Sequence, residues 1–166
     1  MNTSLENKLI ENYWINKLKL CSIVNDSPLT ILEAKEIVIK KEELSYFNKL
    51  TANNEVVELT VLFSIYNILL QRYFEPLNFI ASSGLTKNEK TLLYKFHSIK
   101  RKTFKQCLNE VKEEIKEVFK YLNFDESSIN KNLFCNYTSF GFSYNKNCNI
   151  EKSNFPFYLN IKKKDE

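Results

Sequence analysis

Hydrophobic residues recur three or four positions apart in four segments of the chain, which is the spacing of one face of an α-helix. The third segment is apolar on nearly every side, and this predicts a buried central helix rather than a surface helix. Thr103 and Gln106 have the spacing of a capping box, which marks the start of the fourth helix. The four predicted helices are residues 4–18, 40–54, 56–74 and 104–122.

Five further segments are rich in β-branched or aromatic residues and predict strands. Residues 29–40 alternate near their end, which predicts one strand or a hairpin. Residues 92–99 alternate polar and apolar positions, and this pattern is typical of a half-buried strand. The other three predicted strands are 77–84, 133–145 and 154–163.

These elements predict one α/β domain, a two-layer sandwich of helices packed on a mixed β-sheet, with the third and fourth helices on the core side. A chain of 166 residues, 43% of them apolar, is long enough for one hydrophobic core and too short for two. Residues 1–166 are therefore predicted to form a single domain. The side chains predicted to be buried include Leu62, Phe63, Leu69, Phe104, Leu108, Val111 and Ile115.

The chain contains one histidine, His97, and a lone histidine is the usual first candidate for a general base. In the predicted strand it shares a face with Lys95, and no acidic residue or cysteine lies within two residues of it. Sequence leaves a distant partner open, but nothing near His97 indicates one. A catalytic role for His97 is therefore not predicted.

Composition excludes several classes of site. The two glycines, Gly84 and Gly141, lie too far apart for a Gly-rich nucleotide loop. Four cysteines without a CxxC pair, together with one histidine, offer no zinc set, so neither a metal nor a cofactor is predicted. The N-terminus lacks the pattern of a signal peptide, and no apolar run approaches the ~20 residues that span a bilayer. We therefore expect a cytoplasmic protein that contacts no membrane.

Two features indicate a candidate partner surface. Lys100, Arg101 and Lys102 form a dense basic spot in a chain of net charge +4, but no stripe of stacking aromatics accompanies it, so nucleic-acid binding is not predicted. The region 133–159 carries more aromatic residues than two short strands need for one buried face, so an exposed aromatic patch is expected there. A helix covering the second face is the alternative. The rings assigned to this surface are Phe140, Phe142 and Tyr144.

Several segments, taken in order, resemble the condensation domains of nonribosomal peptide synthetases. ENYWINKL is similar to the helix with a Tyr-Trp pair that starts the C-terminal lobe of that family. The later segments resemble a buried helix ending in Leu-Leu-x-Arg-Tyr and its following strand, a helix that opens with Thr-Phe, and two aromatic strands. Those later segments are 56–84, 102–124, 133–144 and 154–161.

The resemblance implies a truncated condensation-like domain that lacks the catalytic N-terminal lobe. The family's HHxxxDG motif lies in that lobe, and no His-His pair occurs in this chain, so no catalytic residue is carried over to any position and His97 is not the condensation base. The implied function is that of a non-catalytic domain of an initiation module, with a structural or docking role beside an adenylation domain in cis or another neighbouring synthetase domain.

Two alternatives stay open at this point. The chain could be half of a split acyltransferase of the chloramphenicol-acetyltransferase type, completed by a partner lobe in trans. It could also be a docking module for a carrier protein, with the basic residues Lys100, Arg101, Lys102 and Lys105 as the contact surface.

Overall fold

The computed structural model describes residues 3–20, 35–73, 79–83, 92–124, 140–144 and 157–163. In these ranges the chain forms four helices and one four-stranded sheet. The helices are α1 (Thr3–Lys19), α2 (Lys41–Thr51), α3 (Glu55–Tyr73) and α4 (Phe104–Lys120). The strands are β1 (Phe79–Ser83), β2 (Leu92–Lys95), β3 (Phe140–Tyr144) and β4 (Phe157–Ile161).

The sheet is mixed, with the strand order β2-β1-β3-β4. β1 pairs antiparallel with β2 and parallel with β3, and β3 pairs parallel with β4. The predicted α/β class with a mixed sheet is therefore confirmed. β3 is an inner strand. Its residues pair on one side with Ala81–Ser83 of β1 and on the other side with β4.

Local signals in the sequence explain where two of the helices begin. The Thr103 hydroxyl accepts a hydrogen bond from the Gln106 amide at 3.3 Å, and the Thr103 amide donates to the Gln106 side chain at 2.8 Å. This confirms the predicted capping box of α4. The Asn54 side-chain oxygen accepts hydrogen bonds from the Val56 and Val57 amides, so an asparagine N-cap starts α3.

One core cluster joins the helices to the sheet, and aromatic side chains supply much of it. Phe63 of α3 packs against Tyr94 of β2 and Phe142 of β3. The Tyr66 hydroxyl donates a hydrogen bond to the Gly141 carbonyl at 2.8 Å, which satisfies a buried polar group and fixes α3 on the sheet. α1 contributes Trp14 to the same cluster. The indole N–H of this fully buried residue donates to the Tyr121 backbone carbonyl at the end of α4, at 2.7 Å.

The burial predictions are partly confirmed. Phe63, Val111 and Ile115 are buried, whereas Leu69 and Phe104 are exposed and were predicted wrongly. Phe104 is the first residue of α4, so its side chain lies at the end of the helix. Leu69 is exposed because α3 buries only part of its circumference despite being apolar on nearly all sides. The two predicted side chains that are half-buried are Leu62 and Leu108.

Two predicted strands differ from the structure. β2 ends at Lys95, so His97 lies beyond the strand rather than in it. Three consecutive residues of β2, 92–94, are buried, so the strand is covered on both faces and is not half-buried. Of the predicted strand or hairpin 29–40, residues 35–40 belong to neither a helix nor a strand, and 29–34 fall outside the described residues. So do residues 133–139 of the predicted strand that contains β3.

Candidate functional site

The aromatic residues assigned to a partner surface lie in the protein core. Phe140, Phe142 and Tyr144 belong to β3 and are all buried. Phe142 packs against Phe63 and Tyr66 of α3, with ring centres 5.3 and 5.4 Å apart. The expectation that these three rings form an exposed patch is therefore wrong. The alternative, a helix that covers this face of the strand, describes what the structure shows.

The basic residues of the proposed surface are exposed and lie between β2 and α4. Lys100, Arg101 and Lys102 are all solvent-exposed, and Arg101 has a positive φ of 60°. The Lys102 ammonium forms an ion pair with Glu110 of α4 at 2.7 Å. The three buried rings and the three exposed basic side chains thus do not form one surface, and binding of a partner by the basic residues stays a prediction.

His97 lies against two carboxylates from the following helix. Its Nδ1 is 3.6 Å from Glu110 Oε2, and its Nε2 is 4.0 Å from Glu114 Oε2. The backbone carbonyl of His97 accepts hydrogen bonds from the side-chain amides of Asn67, at 2.9 Å, and Gln71. The distant acidic partners that local sequence did not indicate are therefore present, 13 and 17 positions along the chain.

The buried carboxylate of Glu114 is the centre of this polar cluster. Its Oε1 accepts a hydrogen bond from the Lys17 ammonium at 2.6 Å and another from the Lys95 backbone amide at 2.7 Å. The Lys17 ammonium also donates to the Tyr13 hydroxyl at 2.8 Å. Both Lys17 and Glu114 are buried, so this is an ion pair inside the protein that connects α1, β2 and α4.

A surface cavity of about 330 Å³ opens beside the Glu114 cluster. Positively charged lysines and negatively charged glutamates line it. The Tyr13 hydroxyl lies at its wall, and burial, together with the nearby Glu114 carboxylate, raises the pKa of this hydroxyl. His97 is not among the lining residues. The side chains around the cavity are Tyr13, Asn16, Lys17, Leu20, Lys95, Glu114 and Glu117.

The position and the charge of His97 determine what this arrangement can do chemically. Burial lowers the pKa of His97, although the nearby Glu114 and Glu110 oppose that shift, so the imidazole is neutral at pH 7. A neutral histidine beside carboxylates has the groups of a general base, but catalysis also requires a bound substrate within hydrogen-bond reach. The cavity beside Glu114 does not provide that position, since His97 does not line it.

A second buried carboxylate, Glu58, connects α3 with α2, β3 and the residues that follow β4. It accepts hydrogen bonds from the Tyr144 hydroxyl of β3 and the Lys163 ammonium beyond β4, each at 2.5 Å. The Thr51 hydroxyl at the end of α2 donates a longer one, at 3.4 Å. Burial raises the pKa of the Glu58 carboxyl, but the hydrogen bonds from Lys163 and Tyr144 outweigh that effect and the pKa lies below its ordinary value.

Sequence reasoning did not identify Glu114, Lys17 or Glu58 as important residues. A signal was nevertheless present for the first two. Glu114 is three residues after Val111 and four before Val118, so it lies on the apolar stripe of α4. Lys17 is three residues after the core residue Trp14, so it lies on the same face of α1. A charged residue at a core position of an amphipathic helix predicts a buried pair with an opposite charge.

The described part of the chain contains neither a metal cluster nor a membrane-spanning helix. Across those residues no group of three or more histidine, cysteine, aspartate or glutamate side chains could hold a metal ion. None of the described helices combines the length and the hydropathy needed to cross a membrane. Cys107, the one cysteine in the described ranges, is buried and unbonded to another cysteine.

Comparison of the chain with protein-family models, with curated proteins and with solved structures finds no match.

Proposed function

We propose that this chain is a non-catalytic protein-binding domain that resembles the C-terminal lobe of condensation domains and docks on an adenylation domain of a nonribosomal peptide synthetase. The observation that carries the binding role is an apolar stripe on the outer side of α3. The identity of the partner comes from the resemblance of the ordered segments to the C-terminal lobe of condensation domains. The same resemblance implies a two-layer arrangement of helices on the sheet.

The α3 stripe consists of Ile65, Leu69 and Tyr73. These residues are four positions apart, so they lie on successive turns of the helix. They are 42%, 43% and 78% exposed, although α3 buries Tyr66 and Leu70 on its inner side. Contiguous exposed apolar side chains of this size mark protein interfaces more often than ordinary surface.

Phe157 adds an aromatic ring close to the same helix. It belongs to the outer strand β4 and is nearly half exposed. Its ring stacks on Tyr66 of α3, with ring centres 6.2 Å apart and planes at 12°. Phe157 is thus a partly exposed aromatic side chain in contact with α3, on the side of the buried Tyr66.

The proposed absence of catalysis rests on the surroundings of His97. Its ring is half-buried against Glu110 and Glu114 and lies apart from the lining of the cavity. If the purified chain formed a peptide bond between two carrier-bound substrates, and His97→Ala abolished that activity while the protein stayed folded, the non-catalytic proposal would be wrong.

The binding proposal is tested with the adenylation domain that it expects to be encoded beside this chain. Titration calorimetry should detect binding of the wild-type protein, and Leu69→Asp should weaken it about tenfold or more because it places a charge in an apolar interface. Leu5→Asp is the matched control, since Leu5 is an equally apolar and even more exposed residue on α1. This variant should bind as the wild type does.

Two results would contradict the proposal. One is the absence of binding by the folded wild-type chain, together with unchanged amino-acid activation by the adenylation domain when residues 1–166 are removed. The other is equal binding by the Leu69→Asp and Leu5→Asp variants, which would exclude the α3 stripe as the contact surface.

A further inference from the structure

The cavity beside Glu114 lies in a groove between two antiparallel helices. Tyr13 of α1 stacks on Tyr121 at the end of α4, with ring centres 4.0 Å apart. Lys17, one turn further along α1, pairs with Glu114, which comes before Tyr121 in the chain. The two helices therefore run in opposite directions along the cavity, and their contacts on both sides of it fix its walls.

Opposite charges without partners line this cavity. Glu117 lies between Glu114 and Tyr121 on α4, whereas Lys95, at the end of β2, is held to Glu114 by its backbone amide at 2.7 Å. The side chains of Glu117, Lys95 and Asn16 are exposed and line the cavity. Within the described part of the chain, none of the three forms an ion pair or a hydrogen bond through its side chain.

We propose that this cavity binds a small zwitterion of the ω-amino acid class, with its ammonium against Glu117 and its carboxylate against Lys95. The Asn16 side-chain oxygen, on the other helix, is a second acceptor for the ammonium. A cavity of about 330 Å³ is at the lower end of the range for ligand pockets, so the ligand must be small.

The geometry of α4 sets the separation of the two charges in the ligand. Positions 114 and 117 are three residues apart, which is about 4.5 Å along the helix axis. Because Lys95 is held at Glu114, a ligand that also reaches Glu117 must carry its charged groups at least this far apart. An ammonium and a carboxylate on the same carbon are too close, whereas a short methylene chain between them spans this distance.

The middle of the cavity suits such a methylene chain. Its wall there contains the ion pair of Lys17 and Glu114, whose opposite charges compensate each other. Leu20 adds an apolar side chain to the lining. Both members of the ion pair are buried, so the groove is formed before a ligand enters and binding does not have to order it.

The proposal is tested with γ-aminobutyrate, whose ammonium and carboxylate are joined by a methylene chain. Heteronuclear NMR titration of the isotopically labelled protein should show saturable binding with a Kd of about 1 mM, since exposed ion pairs are screened by water. Butyrate and butylamine, which each lack one of the charges, should bind about threefold more weakly or worse. Glycine, with its charges too close together, should also bind more weakly.

Charge reversal identifies the two residues that hold the ligand. Lys95→Glu and Glu117→Lys should each weaken γ-aminobutyrate binding about tenfold, because one attraction becomes a repulsion. The double variant Lys95→Glu with Glu117→Lys exchanges the two charges and should return to within about threefold of the wild type, with the ligand reversed. The matched controls are Lys112→Glu and Glu113→Lys, exposed changes on α4 outside the cavity lining, and they should leave binding unchanged.

Each single variant should also gain a ligand, which separates a changed site from a damaged fold. Lys95→Glu leaves two unpaired carboxylates at the cavity and should bind putrescine, a diamine, more tightly than γ-aminobutyrate. Glu117→Lys leaves two ammonium groups there and should prefer succinate, a dicarboxylate.

Three results would overturn the proposal. The first is the absence of saturable γ-aminobutyrate binding up to about 10 mM. The second is equal binding of γ-aminobutyrate and either singly charged analogue or glycine. The third is a double variant that binds no more tightly than Lys95→Glu or Glu117→Lys alone. None of these measurements involves the α3 stripe, so their outcome is independent of binding to an adenylation domain.

Discussion

The two buried glutamates, Glu114 and Glu58, differ in the access of water to their partners. Glu114 is paired with Lys17, whose side chain is only 8% exposed, whereas Glu58 is paired with Lys163, which is 40% exposed. Both carboxylates connect elements that are distant in sequence. The Glu114 pair is enclosed, but the Glu58 pair is open to solvent on the side of its lysine.

This difference determines what each pair contributes to the fold. A charge that is enclosed on both sides loses most of its hydration, so removal of its partner leaves a poorly compensated charge inside the protein. A lysine that remains partly hydrated contributes less, because water already screens its charge. The α1–α4 contact should therefore depend strongly on its ion pair, while the Glu58 contact should depend more on the buried Tyr144 hydroxyl.

The largest expected effect follows from breaking the enclosed pair. Lys17→Met should lower the free energy of unfolding by about 3–5 kcal/mol, because Glu114 is left buried without its cation. Urea denaturation measures this loss. Lys116→Met is the matched control, since Lys116 pairs with Glu113 of the same helix at an exposed site, and it should leave the denaturation midpoint unchanged.

A double substitution separates the pair from the charge it leaves behind. Lys17→Met combined with Glu114→Met should be more stable than Lys17→Met alone, because no unpaired charge remains in the protein. Recovery would be incomplete, since the Lys95 amide loses its acceptor. A double variant less stable than the Lys17→Met single variant would mean that Glu114 is not destabilised by the loss of Lys17.

A smaller effect is expected at the open pair, and it should come from the tyrosine. Tyr144→Phe removes a buried hydrogen bond to a charged group, which should cost about 1.5–3 kcal/mol. Lys163→Met should cost less than about 1 kcal/mol after allowance for solvent screening. If thermal and urea unfolding showed a larger loss of stability for Lys163→Met than for Tyr144→Phe, the description of the Glu58 pair as open to solvent would be incorrect.

The smallest effect concerns the pH at which each region begins to lose stability. The pKa of Glu58 is lower in the folded protein than its ordinary value of 4.5, so its contribution is complete above that value and is lost as the pH falls below it. The pKa of His97, which lies against Glu114, is also lowered, from 6.5. The folded state disfavours its protonated form, so its contribution is lost in the same direction, but beginning near pH 6.5.

Urea titrations from pH 8 to pH 3 would separate these two windows. His97→Gln should flatten the pH dependence just below 6.5 and leave the decline below 4.5 in place. Glu58→Gln should have the opposite effect. Identical profiles for the wild type and His97→Gln between pH 6.5 and 4.5 would show that the histidine has the same pKa in the folded and unfolded states.

The helices and the mixed α/β class were predictable from local pattern, whereas the candidate sites were not. Helix periodicity located α3 and α4, and the Thr103 capping box marked the start of α4. The partners of Glu114 could not be derived in this way, because Lys17 is 97 positions away and only tertiary packing brings the two together. A charged residue on an apolar stripe indicates that a partner exists without identifying it.

The aromatic residues show that composition does not distinguish a buried strand from an exposed surface. The abundance of rings in 133–159 predicts an exposed patch if two short strands bury only one face, and a covering helix is the alternative. In the structure β3 is an inner strand, and all five of its residues are buried. Strand order is a long-range property that composition does not report, so the same rings fit either an interface or a core.

The position of Trp14 makes the attachment of α1 optically observable. It is the one tryptophan of the chain, it is fully buried, and its ring lies 4.9 Å from that of Phe124 and 5.2 Å from that of Tyr13. A buried indole emits at shorter wavelengths than a hydrated one, so detachment of α1 would shift the emission of the whole protein to the red. Intrinsic fluorescence thus reports the contact between α1 and the end of α4. It requires no added label, and no second tryptophan contributes to the signal.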